Sequence, residues 1–474
     1  MLQRYTRVFA TCLLLSGVSA SSAAAQGRVP CGEVLGYDLH VGPARGIARS
    51  GAFELLAEDL VQVPGRAWLQ LEFGELRFGP GALLELESLR DGAKEVLDGK
   101  QRGRRFSAYF NGDAVRLRLF APQRDGLTGY RVVAVGASLA AHPAPLTLCG
   151  VDDRTPSADK RVARLLLRFQ NGYSFCSAFL VSPSSDGRAW DCFATSGTCL
   201  GLPGLDALFA QFEVRAWLAD GTIQHPPPSA QYQATTQTAF AVGAAGVDWG
   251  LFRTLPNATT GLHAGRVQGS GFRFATTTNA TNVTLLSYGT SQLDATRSGT
   301  QQSGSAVIVS QQGDVLVHRA DSTGGSAGAP LVTAEGSVLA VQVEGGCDQQ
   351  ATSANKATLA SQAAFAAARS TYCQERADFV LRSFSTSTTT LEAGRSVTFR
   401  STIANEGSLA TPLTSCGYYI GKAAKLSSAD RLLAAYQVAP LMAMASVDHR
   451  LDVTLPLDLA GGACYVGAIA DDLD

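Results

Sequence analysis

Apolar and polar residues alternate along much of the chain. Trp68-Leu69-Gln70-Leu71-Glu72-Phe73 and Val115-Arg116-Leu117-Arg118-Leu119 show the pattern, and Tyr130-Arg131-Val132-Val133 continues it. Successive side chains of a strand point to opposite faces, so the alternation predicts antiparallel strands with one buried and one wet face. Gly-Pro and Asp-Gly pairs between the runs predict turns. Residues 31–148 therefore read as a β-sandwich accessory domain, interrupted by a helical patch at Leu55–Leu60. Residues 149–373 carry short apolar runs such as Ala163–Phe169, Trp249–Leu255, Ala329–Val332 and Val338–Val343, separated by long Gly/Ser/Thr loops. That spacing suits a pair of β-barrels better than a βαβ sheet. One helix is predicted there, over Ala357–Ser370, which is Ala-rich and free of Gly and Pro. Residues 374–474 show about seven short strands, the mark of an immunoglobulin-like sandwich. The fold class expected is all-β throughout.

Charge and cysteine content narrow the setting. The 474 residues carry 39 Lys+Arg against 40 Asp+Glu, a net charge of −1. A nucleic-acid partner usually demands a basic stripe, so none is expected. Arg4 and Arg7, the apolar run Phe9–Val18 and the small residues Ser22-Ala23-Ala24-Ala25 have the order of a secretory signal peptide over residues 1–25. The protein is therefore expected to be secreted or periplasmic. That run is shorter than the roughly 20 residues a membrane span needs, and no longer one follows. Ten cysteines occur; Cys12 leaves with the signal, so nine remain, and an odd number cannot all pair within the chain. No CxxC pair and no Cys/His cluster with zinc spacing is present, so neither a metal nor another cofactor is expected.

Ordered motifs in residues 149–373 carry chemistry. Cys176-Ser177-Ala178-Phe179-Leu180-Val181, Thr198-Cys199, Val247-Asp248-Trp249-Gly250-Leu251, Gly324-Gly325-Ser326-Ala327-Gly328-Ala329-Pro330 and Leu339–Cys347 follow one another. In this order they resemble the trypsin-like serine endopeptidases, in particular their lysyl- and glutamyl-specific bacterial branch. The resemblance implies a double β-barrel and a triad in the order His, Asp, Ser. It places Thr198, or Gly197 if the register slips by one, where the general base belongs before Cys199, Asp248 at the aspartate, and Ala327 at the nucleophile. Gly325, Gly328 and Pro330 hold that register. A threonine hydroxyl does not take up a proton near pH 7, and a methyl group is no nucleophile. No active catalytic set is therefore expected. Ser326 is one residue early, and on a tight turn its hydroxyl would point away from the cleft.

The same resemblance implies an oxyanion-hole-like pair of amides at Gly325 and Ala327. It also implies a peptide cleft along Val343, Glu344 and Gly345, open to strand addition, with Glu344 drawing a basic residue. Implied disulfides are Cys176–Cys199 and Cys149–Cys347. A local bridge, Cys416–Cys464, fits the last domain, and Cys31, Cys192 and Cys373 are left without assignment. Residues 374–474 resemble the bacterial adhesion-related CARDB modules through Leu391-Glu392-Ala393-Gly394, Ile403-Ala404-Asn405-Glu406-Gly407 and Tyr465-Val466-Gly467-Ala468-Ile469-Ala470-Asp471. That family continues with a further strand, so the last strand is expected to be missing. The function expected is binding or adhesion of proteins or peptides by an inactive protease-like protein. The alternatives are an active endopeptidase with a displaced catalytic set and a purely structural surface protein.

Overall fold

The computed structural model describes residues 29–42, 54–79, 81–99, 104–121, 128–139, 146–183, 190–218, 221, 223–275, 279–291, 294, 297–348, 350, 353–374, 377, 379–405, 407, 409–421, 426, 430–443, 445–459, 462 and 464–470. The expected signal peptide lies outside them. Two compact units result, Met1–Cys373 and Gln374–Asp474.

The first unit begins with β1 (Gly32–Val41), β2 (Glu54–Gln62), β3 (Trp68–Arg77), β4 (Leu83–Ser88), β5 (Lys94–Asp98), β6 (Phe106–Asn111), β7 (Ala114–Ala121) and β8 (Gly129–Ser138). Strands β1-β8-β3-β6 face the sheet β2-β7-β4-β5. Leu69, Leu71, Leu84, Leu86, Leu117, Leu119 and Val132 fill the space between them. These are the apolar members of the alternating runs, so the pattern and the packing coincide. Leu55–Leu60 is not helical. It belongs to β2, where a bulge between Leu55 and Ala57 breaks the two-residue period and so imitates a helical spacing.

Next come β9 (Leu146–Thr147), β10 (Thr155–Pro156), β11 (Val162–Phe169), β12 (Gly172–Leu180), β13 (Cys192–Thr195), α1 (Gly197–Leu200), β14 (Leu205–Gln211), β15 (Gln231–Ala241), β16 (Trp249–Thr254) and α2 (Ala264–Gln268). The order β11-β14-β15-β16-β13-β12 closes on itself through β11–β12, which makes a six-stranded antiparallel barrel. A second barrel is built from β17 (Asn282–Ser287), β18 (Gln302–Gln312), β19 (Val315–His318), β21 (Pro330–Val332), β22 (Val338–Glu344) and β23 (Asn355–Leu359), with β20 (Ser322–Thr323) in the loop between β19 and β21. Its order, β18-β17-β21-β22-β23-β19, closes through β18–β19. The helix α3 (Ala363–Tyr372) ends the unit, its Gln362 side chain accepting from the Phe365 amide at 2.6 Å. The helix predicted over Ala357–Ser370 therefore starts later than expected. Ala357 pairs with Leu316 on one side and Gln342 on the other, and that ladder overrides the helix propensity of alanine.

The N-terminal sandwich is welded to the first barrel. Gly32 of β1 pairs with Tyr173 of β12, so the two sheets are continuous. Trp68, Tyr109, Tyr173, Phe175 and Phe209 share one apolar cluster across the joint. A Cβ on Gly32 would stand 2.6 Å from the Trp68 ring, so only glycine fits this crossing.

The second unit holds β24 (Phe379–Thr386), β25 (Ser396–Asn405), β26 (Thr414–Gly421), β27 (Arg431–Val438), β28 (Ser446–Thr454) and β29 (Tyr465–Ala470). They form two three-stranded sheets, β24-β25-β28 and β27-β26-β29. Val397, Phe399, Ile403, Tyr418 and Val453 pack between them as a sandwich core.

Candidate functional site

Strands β13 and β16 are neighbours, with Thr195 opposite Gly250. The short turn of α1 continues β13, and Asp248 immediately precedes β16, so the pairing brings Thr198 to Asp248. The Thr198 amide donates to Asp248 Oδ2 at 2.9 Å, and the Thr198 hydroxyl donates to the same oxygen at 2.5 Å. The Gly243 amide reaches it at 3.4 Å. Asp248 is fully buried, and among the described residues its Oδ1 has no hydrogen-bond partner. Burial pushes the Asp248 carboxyl up from its ordinary range, while the hydroxyl of Thr198 and the amides of Gly243, Thr198 and Gly197 oppose the rise. Small residues allow this close approach: a Cβ on Gly197 would sit 1.8 Å from the Ala241 carbonyl oxygen.

Ala327 reaches the same place from the second barrel. Its carbonyl accepts from the Ser177 amide at 2.9 Å, and its side chain packs in the cluster that holds Cys176, Cys199 and Leu200. Gly325 (φ +96°) and Gly328 (φ +85°) shape the turn. A Cβ on Gly328 would stand 2.0 Å from Thr195 Oγ1 and 2.9 Å from the Ser196 amide nitrogen, so the turn lies directly against the entry to α1. Thr198 and Asp248 therefore meet, and the turn that carries Ala327 packs against the same segment between the two barrels. The Gly325 carbonyl is turned inward, accepting from Ser177 Oγ at 2.9 Å. Among the described residues no acceptor engages the Gly325 or Ala327 amide. Ser326 is fully buried, and its hydroxyl donates to Ser287 Oγ at 3.1 Å, away from the groove.

The histidines of the barrels are held elsewhere. His318 donates from Nε2 to Gln342 Oε1 at 2.7 Å and accepts the Ala320 amide on Nδ1 at 3.2 Å. Burial lowers its pKa to about 4, partly offset by Gln342. His225 stacks on Tyr109 with ring centroids 4.5 Å apart. His263 precedes α2 and tilts against Trp190 at 5.7 Å. Among the described residues, the hydrogen bonds of the His225 and His318 rings go to Arg164, Gln211, Gln342 and Ala320, none of them to Thr198, Asp248 or Ala327.

The cleft residues lie at the end of β22. The pairing of β22 with β21 runs to Val341, opposite Pro330; beyond it Gln342 still donates to the Ala329 carbonyl at 2.9 Å. Val343 is buried at 5% exposure. Glu344 is half engaged within the chain: Oε1 accepts the Ala245 amide at 2.8 Å and Oε2 lies 3.6 Å from Lys356 Nζ. A basic ligand at Glu344 would therefore compete with Lys356.

Three disulfides are present, Cys149–Cys347, Cys176–Cys199 and Cys192–Cys373. The third carried no local signal, since its cysteines are 181 residues apart. The local bridge Cys416–Cys464 does not form; both residues are thiols. The register explains this correction. Cys416 pairs with Ala470 and Gly421 with Tyr465, so Cys416 and Cys464 stand at opposite ends of the β26–β29 ladder. At about 3.3 Å per residue that is far beyond disulfide reach. Cys31 is a buried thiol whose pKa burial pushes up to about 12.

Among the described residues no helix is long and apolar enough to cross a membrane, and no three His, Cys, Asp or Glu side chains converge to hold a metal. No known sequence family and no curated protein matches the chain. Among solved structures it is similar to a Glu endopeptidase in complex with MPD, at 17% identity and a TM-score of 0.35 over 46% of this chain and 95% of that one. It is similar to the protease Anisep from Arthrobacter nicotinovorans at 16% identity and a TM-score of 0.35, over 44% of this chain and 93% of that one. A thermostable serine protease, AL20, from an extremophilic microorganism is similar at 14% identity and a TM-score of 0.33, over 42% of this chain and 91% of that one.

Proposed function

We propose that the chain is a secreted, catalytically inactive trypsin-like protease homologue that acts in binding or adhesion of proteins or peptides. The observation that carries this reading is the Asp248–Thr198 pair. The carboxylate is spent on a hydroxyl and its own amide, so nothing there can draw a proton from a nucleophile. The methyl group of Ala327 leaves nothing to activate. Losing one triad member leaves about 10³–10⁴-fold rate enhancement from the remaining groove; losing both base and nucleophile closes the acyl-enzyme route. The Gly325 and Ala327 amides survive as donors because they belong to the backbone. The end of β22 at Val343–Gly345 offers an edge for an extended peptide. The CARDB-like character of residues 374–474 supports adhesion, and the signal-like residues 1–25 support export.

The test has two arms. Labelled casein incubated with the protein is expected to stay intact, and measurable cleavage would restore the endopeptidase reading. A peptide array is expected to show weak backbone-driven binding that Glu344→Ala alters by reshaping the end of β22. No binding by either form would favour a purely structural protein.

A further inference from the structure

A cavity opens where two strands of the first barrel part. β11 and β14 pair as far as Arg164 and Gln211. Two residues past that last pair the chain turns at Glu213, whose φ of +54° is the one left-handed value among the described non-glycine residues. A side chain stays in that region only where its surroundings hold it, and such strain gathers at ligand sites. Beyond the parting lies a cavity of about 730 Å³, within the range of about 300–1,000 Å³ usual for a small-ligand site. None of Thr198, Asp248, Gly325, Ala327 and Val343–Gly345 lines it.

One wall is fixed before any ligand arrives. β10 pairs with β18, Thr155 opposite Ser303. The Gln301 side chain accepts the Ser157 hydroxyl at 2.7 Å and the Asp159 amide at 2.6 Å, and donates to the Asp159 carbonyl at 2.8 Å. The Asp159 carboxylate holds Arg161 at 2.9 and 2.6 Å, and the Arg161 guanidinium lies 3.7 Å over the Phe272 ring. A wall tied in this way needs little ordering on binding.

Three cations, Arg154, Lys160 and Arg297, and three anions, Asp159, Glu213 and Asp294, line the cavity. Arg154 is spent on Asp152 at 2.8 Å, Asp159 is spent on Arg161, and Asp294 has an interaction within the chain. Arg297 stands 3.8 Å from Asp152 and donates from Nη2 to the Arg154 carbonyl, but its buried Nε has no partner among the described residues. The side chains of Lys160 and Glu213, both exposed, enter no ion pair or hydrogen bond among the described residues. Open charge of both signs thus stands beside the apolar surfaces of Val214 and Val267, the latter 45% exposed. A simple anion would leave Glu213 unmet, and a simple cation would leave Lys160 unmet. A dipolar ligand with an apolar body meets both.

We propose that this cavity binds a short peptide with free ends: Lys160 and Arg297 take its carboxylate, Glu213 takes its ammonium group, and Val214 and Val267 seat an apolar side chain. The site is separate from the peptide edge read at Val343–Gly345 and does not rest on it.

Calorimetric titration of the full chain with uncapped Leu-Ala-Leu, and with the same peptide N-acetylated and C-amidated, separates the two. An edge that reads backbone tolerates caps; this cavity does not. One uncapped peptide per chain is expected to bind, about tenfold or more tighter than the capped one, the worth of a hydrogen bond to a charged group. Lys160→Met and Glu213→Gly are each expected to weaken the uncapped peptide about fivefold or more. Glu213→Gly is also expected to keep or raise the melting temperature, because glycine takes a positive φ without strain. Weaker binding in that variant is then loss of the carboxylate and not of the fold. Glu344→Ala is expected to leave the uncapped peptide unaffected. Equal binding of the two peptides, no binding of the uncapped one, or binding indifferent to Lys160→Met and Glu213→Gly overturns the proposal. A loss confined to Glu344→Ala places the peptide at the end of β22 and overturns it too, while leaving the reading of that edge standing.

Discussion

At the joint between the N-terminal sandwich and the first barrel, Arg168 pairs with Glu72 and Asp206, and Arg105 pairs with the same two carboxylates at 2.7 and 2.6 Å. Each carboxylate there has two cations. Asp248, between the barrels, is more deeply buried than either, yet among the described residues no ion pair reaches it and its Oδ1 accepts nothing. The joint is a charge cluster completed by its own chain. Asp248 instead meets the hydroxyl and amide of Thr198. The difference teaches that one set of buried carboxylates is held by charge and the other by neutral donors. Gly197 and Gly328 are required by close packing, since a Cβ would meet the Ala241 carbonyl oxygen at 1.8 Å and the Ser177 carbonyl oxygen at 2.3 Å.

The sharpest way to break this comparison is to install the base and nucleophile that the proposed reading finds wanting. If the frame is intact, Thr198→His with Ala327→Ser is expected to raise hydrolysis of a small activated ester by about 10²-fold or more, the usual contribution of a positioned general base. No rise in a stopped assay of the folded double variant would mean that the groove has lost more than two side chains.

The joint makes the opposite claim, that its charges are structural. Arg168→Met leaves Glu72 and Asp206 with Arg105 alone and is expected to cost about 3 kcal/mol in urea unfolding, the low end for breaking a buried pair. A loss under about 1 kcal/mol would show that the joint is no more built around its charges than the groove is.

Acid separates the regions further. His318 takes up a proton near 6.5 when unfolded but only near about 4 when buried. The unfolded state then binds more protons, so stability is lost as pH falls from 6.5 toward 4, by roughly 3 kcal/mol at the low end. Burial also holds His225 well below its ordinary range, adding to the same loss. His318→Gln is expected to flatten the profile in this window, as read from melting temperatures at stepped pH.

The smallest effect is expected at Asp248. Burial raises its folded pKa above the ordinary 3.8. The folded state therefore holds the proton longer, and stability declines as pH rises through the window above 3.8. Asp248→Asn is expected to remove that decline and to change stability at neutral pH by no more than about 1 kcal/mol, toward greater stability. A loss of several kcal/mol would show that the lone carboxylate is structural, like the pairs at the joint.

What was legible in the sequence was local. The glycines Gly325 and Gly328 mark a turn, and both do adopt positive φ, whereas the roles given to Thr198 and Ala327 rest on the resemblance alone. The alternation in β3 and β7 likewise exposed the sandwich core directly. Features set by distant partners were not legible. Ala357 looks helical until the ladders to Leu316 and Gln342 are seen. Cys416 and Cys464 look like a bridge until the register parts them. The contacts of Thr147 have no sequence signature, since Ser322 and Gly345 both lie far along the chain.

The most direct measurement is the intact mass of the native protein after exposure to excess fluorophosphonate. An unchanged mass is expected, because Ser326 is buried against Ser287 and Ala327 has no hydroxyl. A stoichiometric adduct mapped to a serine between residues 320 and 332 would contradict the disarmed groove outright.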